Sequence, residues 1–444
     1  MNSEQNTGFI SSRRSFMQRL VLMSGAVVTM PLGTAISYAA DKEEEKLIGS
    51  GNWATQYGPY LQQPTITSIK ILWTTKSPGI AWVEYWPVES PRHRQFKEDS
   101  QFGLRRVRTT KHIVTLEDLK PGTKYAYKVY TRKPTDQFFV NPNHNDEKPD
   151  GTFTTLDPRC EKSSFLIIND LHCPFDGQKG RIRHLMEKGK ASERTLIFHN
   201  GDLLDYFPGS YFMPKQDDPI YVGALQPVKD IVSNVPFILI RGNHEYRGHA
   251  TVEVEETFPP FEETRAFYGM IHQGQVCFIL LDSGEDRKDE GGVTDWEKYF
   301  TKQVLWLKKA VKTQEFKKAP FRVAMIHIPP MRDAIQSGWS DEEIENHHYS
   351  ERRILNEIVP VLSDAGINIM LSGHTHSDEF RPIKSQPDLN FPLLINGQTS
   401  YITIEVERQK MTVVQTRDEK SQIICTLEFS PNKFTSYIHN GKIF

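Results

Sequence analysis

Cysteine is scarce in this chain: Cys160, Cys173, Cys277 and Cys425 are the only four in 444 residues, and no two form a C-x-x-C pair. A disulfide-framed scaffold and a thiolate zinc site are thereby excluded, with room left for a single disulfide in an oxidising compartment. An excess of one charge is lacking too. With 54 Lys and Arg against 56 Asp and Glu, the chain has no electrostatic footprint for nucleic acid, and no such partner is expected. It contains no P-loop or other glycine-rich phosphate cradle. Beyond residue 40 no apolar run approaches the length of a spanning helix, so no membrane partner is expected once the N-terminal segment has been removed.

That segment is the one long apolar stretch. Ser12-Arg13-Arg14-Ser15-Phe16-Met17 precedes an apolar, small-residue run from Leu20 to Ile36, and Ser37-Tyr38-Ala39 puts small residues where a signal peptidase reads. Residues 1–40 are therefore expected to be a secretory signal peptide of the twin-arginine type, which exports proteins already folded, often around a cofactor. The mature protein is expected in the periplasm or outside the cell. Pro31 and Gly33 interrupt the run and count against a retained anchor. Residues 41–51, charged and then Gly/Ser-rich, read as a disordered lead-in.

The remainder has an ordinary globular composition, 38% hydrophobic and 25% charged in the whole chain, with length for two or three domains. Residues 52–157 hold alternating runs at 66–73, 81–86 and, most strictly, 124–130, punctuated by Ser77-Pro78-Gly79 and Pro121-Gly122. This pattern predicts a small antiparallel sandwich. The stretch from Leu116 to Tyr127 resembles the E-to-F corner of a fibronectin type III domain. In that resemblance Tyr125 is the corner tyrosine whose hydroxyl ties down the loop, and residues 151–155 are the last strand. Nothing there has catalytic spacing. Residues 160–444 alternate apolar strands with helical patterns at 180–189, 217–233, 296–312 and 341–365, which predicts α/β layering. Three β runs, starting at Tyr401, Met411 and Gln422, close the chain and should finish a sheet.

The chemistry lies at the ends of five apolar strands. Pro236 to Ile240 runs into Arg241-Gly242-Asn243-His244-Glu245, Phe165 to Ile168 into Asn169-Asp170-Leu171-His172, and Leu196 to Phe198 into His199-Asn200-Gly201-Asp202. Val323 to Ile326 ends at His327, and Ile367 to Leu371 at Ser372-Gly373-His374-Thr375-His376. Open α/β sheets bind ligands beyond the carboxyl ends of their strands. Three imidazoles, or four, with two carboxylates and an amide at one edge are ligands for a pair of hard-to-borderline divalent metals. Asp170 and His172, two apart in an extended strand end, should point the same way and grip one ion. Asp202 can bridge two ions, Asn243 offers an amide oxygen, and His327, His374 and His376 complete two coordination spheres. His244, beside a ligand, is placed to touch substrate. Each motif alone is weak, since a single D-x-H is structural in most sequences and G-D-x-x-D is often a turn and cap. Five such groups in one order, all at strand ends, leave chance little room.

Taken in order, D-x-H, G-D-x-x-D, G-N-H-[DE], H and G-H-x-H resemble the calcineurin-like metallophosphoesterases, over residues 170–376. The resemblance implies an α/β (α+β) metallophosphoesterase β-sandwich flanked by helices, here preceded by a small all-β immunoglobulin-like sandwich. It implies that Asp170, His172 and His376 hold one metal, that Asn243, His327 and His374 hold the other, and that Asp202 bridges them. His244 then stabilises the phosphoryl transition state or protonates the leaving oxygen, and Asp205 orients His244 through a hydrogen bond. The implied reaction is hydrolysis of a phosphate mono- or diester by a metal-bridging hydroxide, the substrate being a phosphorylated small molecule or ester. The cofactors are two divalent ions, from among Mn, Fe, Zn and Co.

A fibronectin-like domain ahead of such a site also resembles the purple acid phosphatases, so acid phosphatase activity is an alternative. Those enzymes carry tyrosine at the last position of G-D-x-x-Y and lack the histidine of D-x-H. This chain has Asp205 and His172 there, with Tyr206 one residue late. A non-catalytic, metal-stabilised surface-binding module is a further alternative. Substrate contacts are expected from two insertions, residues 208–219 with Tyr211 and Phe212, and 332–349 with Trp339, His347 and His348, whose aromatic rings could stack a base or sugar.

Overall fold

The computed structural model describes residues 53–107, 109–133, 149–173, 180–205, 220–288, 295–332, 338, 340–385, 389–418, 420–430, 433–439 and 442–443. The expected signal peptide and lead-in, and Tyr206, Tyr211, Phe212 and Trp339, lie outside the described residues. From Asn52 onward the chain packs as one unit.

Its first part is all β: β1 (Thr55–Gln62), β2 (Ile69–Thr75), β3 (Ile80–Pro87), β4 (Gln95–Glu98), β5 (Ser100–Gln101), β6 (Leu104–Arg105), β7 (Lys111–Leu116), β8 (Lys124–Arg132) and β9 (Gly151–Thr154). Sheets β1-β2-β7 and β4-β3-β8-β9 close on a core that includes Leu61, Trp73, Val83 and Tyr127. The Tyr125 hydroxyl accepts the Lys120 N–H at 3.0 Å, five residues upstream, as expected of a corner tyrosine.

The second part contains β10 (Lys162–Ile168), β11 (Leu196–Asn200), β12 (Phe237–Ile240), β13 (Gly269–Gln273), β14 (Val276–Leu281), β15 (Phe321–Ile326), β16 (Ile369–Ser372), β17 (Glu379–Arg381) and β18 (Leu393–Ile395). It ends with β19 (Ser400–Glu407), β20 (Lys410–Arg417), β21 (Lys420–Ser430), β22 (Lys433–His439) and β23 (Lys442–Ile443). One sheet runs β12-β11-β10-β19-β20-β21-β22-β23, the other β13-β14-β15-β16-β18-β17. Strands β10, β11 and β12 are parallel, as are β14, β15, β16 and β18.

The strands read as unbroken apolar runs because both faces are covered. Phe165 and Ile167 face a core between the two sheets, whereas Leu166 and Ile168 face outward onto Ile182, Leu185 and Met186 of the helix Gly180–Lys188. In the other sheet Val276, Phe278 and Leu280 face inward, and Cys277, Ile279 and Leu281 pack on the helix Trp296–Ala310. The result is a helix, sheet, sheet, helix sandwich.

Several expectations change. The pattern at 217–233 is, in its described part, a π turn Ile220–Leu225, a 3-10 turn Gln226–Val228 and a helix Lys229–Val232; Pro227 cannot donate to an α ladder. The stretch at 341–365 breaks at His348, and Pro360 opens its last helix, Val359–Ala365. The three terminal β runs are followed by β22 and β23 on the same sheet. Cys160, Cys173 and Cys277 carry free thiols. Among the described residues no helix is long and apolar enough to cross a membrane.

The two parts share a core. Tyr60 of β1 and Leu72 of β2 belong to the cluster that contains Leu166 and Ile168, and Tyr57 stacks on Tyr221 at 5.1 Å. The Tyr60 hydroxyl donates to Thr257 O (3.0 Å), and the Tyr127 hydroxyl to Ser233 O (2.8 Å).

Candidate metal centre

Five of the seven candidate ligands have left-handed backbone: φ is +49° at Asp170, +43° at His172, +60° at Asp202, +73° at His374 and +57° at His376. This corrects the expectation of an extended D-x-H. Strand β10 ends at Ile168, and Asp170 and His172 converge because the loop beyond it folds back, not because alternate residues share a strand face. Such conformations persist where the surroundings over-determine them, typically at functional sites.

The over-determining contacts are visible. Asp170 N–H donates to Gly201 O and His172 N–H to Asp202 O, each at 3.0 Å, zipping the D-x-H loop to the G-D loop. The Asp170 carboxylate accepts the His374 N–H at 3.0 Å, and Asp202 Oδ1 accepts the His244 N–H at 3.0 Å. Asn169 Nδ2 donates to Asp170 Oδ2 and to Asn396 O, and Asn396 Nδ2 returns a bond to Asn169 Oδ1. Glu245, fully buried, accepts N–H groups from Gly242 (2.7 Å), Asp202 (2.9 Å) and Leu203 (2.8 Å), so one carboxylate ties the G-D loop to G-N-H-E. Burial, then the Asp202 charge, pushes the Glu245 pKa up to about 7 despite those donors.

Side chains converge in two groups that share Asp202: Asp170, His172, Asp202 and His376, and Asp202, His327 and His374, with one donor atom from each residue within 4.8 Å of the others. His172 Nε2 faces His376 Nε2 at 3.0 Å, and Asp170 Oδ1 lies 3.3 Å from His376 Nε2. Asn243 Oδ1 stands 3.1 Å from His374 Nδ1 and so joins the second group. Close approach demands glycine twice. At Gly201 (φ +87°) a Cβ would run into the His327 ring, and at Gly242 into that ring and Asp202 Oδ1.

His327 tests whether this set fits a metal. Its ring is fully buried, and Nδ1 must donate to Asn200 O (2.7 Å), which leaves the Nε2 lone pair as the ligand atom. Nε2 lies 3.1 Å from Asp202 Oδ2 and 3.8 Å from Asp170 Oδ1, and among the described residues it has no aligned hydrogen bond. A buried polar nitrogen left so is costly, and an ion coordinated by imidazole nitrogen and carboxylate oxygen satisfies it. In the metal-free arrangement burial lowers the His327 pKa, but Asp202 and Asp170 outweigh it and lift it to about 10. Burial likewise opposes ionisation of Asp202, yet His327 holds its carboxyl well below the usual range. Burial lowers His172 and His374, keeping their imidazoles neutral as ligation requires.

His244 lies beside both groups. Its Nδ1 donates to the Asp205 backbone carbonyl (2.7 Å), and its Nε2, 3.8 Å from Asp202 Oδ2, accepts from Arg247 Nη1 (2.8 Å). The expected orienting bond from the Asp205 side chain is thus corrected: its Oδ1 lies 2.6 Å from His172 Nδ1 instead. A bridge between Leu204 and Cys173 lays the two loops side by side and turns this carboxylate to His172. His347 is exposed. His348 bonds Glu351 (3.0 Å), which raises its pKa, and feels Asp286, whose Oδ2 lies 3.4 Å from Asn243 Nδ2. Sequence reasoning overlooked Arg247, Glu285 and Asp286. The signal for the two acids was a sixth strand end, β14 breaking at Asp282-Ser283-Gly284.

All seven ligand candidates fall within residues 163–378, which match the calcineurin-like phosphoesterase family. The chain therefore carries a calcineurin-like phosphoesterase domain over those residues. Residues 56–145, ahead of this phosphoesterase domain, match the purple acid phosphatase N-terminal domain. The chain is 24% identical over 293 residues to purple acid phosphatase 15 of Arabidopsis thaliana, covering 60% of this chain and 49% of that protein. It is 27% identical over 164 residues to a probable glycerophosphodiester phosphodiesterase, GpdQ, of Arcobacter nitrofigilis, covering 34% and 56%. The chain spans about half the length of the curated relatives it matches. The solved structure of PhoD shares its fold, with a TM-score of 0.57 at 12% identity over 89% of this chain and 94% of that one.

Proposed function

We propose that this calcineurin-like phosphoesterase is an exported hydrolase of phosphate mono- or diesters that works with two divalent ions, drawn from Mn, Fe, Zn and Co. One ion would be held by Asp170, His172 and His376, the other by Asn243, His327 and His374, with Asp202 between them. The observation that carries this is the membership of Asp202 in both ligand groups, since a carboxylate can offer one oxygen to each ion of a pair. When bound, such a pair supplies positive charge to phosphate oxygens and acidifies a water for attack. The chain's own residues do the rest. Asn200 O fixes the His327 tautomer, Glu245 and the His244 N–H aim Asp202, and His244 Nε2 stands where it can meet a leaving oxygen.

The relatives' names, a phosphatase and a phosphodiesterase, support the reading at the level of phosphate esters. Residues 1–40 are assigned as the signal peptide, 52–157 as the fibronectin-like domain and 160–444 as the catalytic domain. Arg13-Arg14 ahead of an apolar run supports twin-arginine export. The deciding experiment loads metal-free protein with each of the four metals and assays a panel of mono- and diesters, with elemental analysis alongside. Metal-dependent turnover is expected. Two bound ions without hydrolysis of any ester would leave a binding module instead, and a processed, exported Arg13→Lys, Arg14→Lys precursor would remove the export route.

A further inference from the structure

Arg247 lies just past the turn His244–Tyr246 and is held from one side by carboxylates of the loop after β14. Its Nε lies 3.1 Å from Glu285 Oε2 and its Nη2 2.9 Å from Glu285 Oε1, a paired fork; Nη2 also reaches Asp286 Oδ1 at 3.1 Å and Oδ2 at 3.2 Å. The remaining nitrogen, Nη1, faces the other way and donates to His244 Nε2 at 2.8 Å. That same Nε2 is 3.8 Å from Oδ2 of Asp202, the residue shared between the ligand groups. The second Nη1 hydrogen has no partner among the described residues.

A guanidinium that only clipped two loops together would be satisfied by Glu285 and Asp286. Here those acids fix its plane and leave one nitrogen, Nη1, beside the candidate ligand groups, next to the imidazole assigned to the leaving oxygen. The guanidinium charge is permanent, and Nη1 is a charge-assisted donor of the kind that takes a phosphoryl oxygen. We infer that Arg247 is a phosphate-binding residue of this site: its Nη1 takes a non-bridging phosphoryl oxygen of the substrate, and in turning to it frees His244 Nε2 to take up a proton from solvent and pass it to the ester oxygen. The inference rests on the phosphoesterase reading and adds to it a residue outside the metal-ligand motifs.

Metal-loaded wild type and Arg247→Ala are compared by calorimetric titration with inorganic phosphate, alongside KM for a phosphoester, elemental analysis and thermal melting. Loss of a charge-assisted contact should weaken phosphate binding and raise KM by about 10- to 100-fold, with metal content unchanged. Arg247→Lys keeps the charge but cannot both grip Glu285 and reach the phosphate, and should fall between the two. Unchanged phosphate affinity with a lower melting temperature would reduce Arg247 to a loop clip. Loss of metal from folded Arg247→Ala would place its role at the ligands and overturn the inference. Should Arg247→Ala not fold, wild-type phosphate affinity in Arg247→Lys overturns it as well. If metal-loaded wild type neither binds phosphate nor hydrolyses any ester, the phosphoesterase reading fails instead.

Discussion

Asp202 and His244 are joined by a hydrogen bond yet do different work, and substitution separates them. Asp202→Ala removes the one carboxylate common to both ligand groups, so at least one ion should leave and activity vanish, read by elemental analysis and assay. His244→Ala keeps the backbone N–H that holds Asp202 Oδ1 and should keep both ions. Its kcat should fall on the order of 10²- to 10⁴-fold, less with a nitrophenolate leaving group that needs little protonation. A His244→Ala protein that loses metal while folded would make His244 a ligand. His327 carries the pH prediction. Its pKa is raised from 6.5 to about 10 in the metal-free protein, so the stability it contributes is fully present below 6.5 and is lost as pH rises through about 10. A metal takes the neutral imidazole, so loading at about pH 8 must expel that proton. Calorimetry in two buffers of different ionisation enthalpy should show proton release, and heats independent of buffer would refute the assignment.

At the scale of elements, the centre is made by loops zipped to one another rather than by strands. Glu245 shows this most directly, since it accepts three backbone N–H groups from two loops. Glu245→Gln would set an amide N–H against one or more of those donors at a fully buried position. A stability loss on the order of 3 kcal/mol is expected, with weaker metal binding because Asp202 and Asn243 would no longer be held in register. Melting curves with and without metal test this. A variant as stable as wild type and equally tight for metal would show that the zipped backbone suffices without Glu245.

For the molecule as a whole, the all-β N-terminal part contributes no candidate ligand, yet Tyr60 and Leu72 lie in the core that backs β10 and β12. A fragment starting at Pro158 retains every ligand and should bind two ions if it folds. It should melt well below the full chain, since it forfeits the burial of two large apolar side chains, roughly 3–6 kcal/mol, and exposes the surface they cover. Metal loss from a demonstrably folded fragment would mean that the sandwich helps to build the site through Ser233, Phe237 and the rest of the β12 neighbourhood.

Donor identity and order were legible in the residues alone, because a divalent pair needs particular chemical groups and a parallel sheet presents them where apolar runs stop. So were the corner tyrosine and the all-β lead domain, whose runs alternate in sequence although β2 is buried along its whole length. The faces of β10, β11, β14 and β15 were not, since with both sides buried the period of two leaves no trace in hydropathy. Nor could sequence decide that Asp205 turns its carboxylate to His172, that Glu245 accepts from both loops, or that Arg247 is gripped by Glu285 and Asp286. Those pairs are separated by 33, 43 and 38 residues in the chain, and only the packing of one loop on another brings them within hydrogen-bond reach.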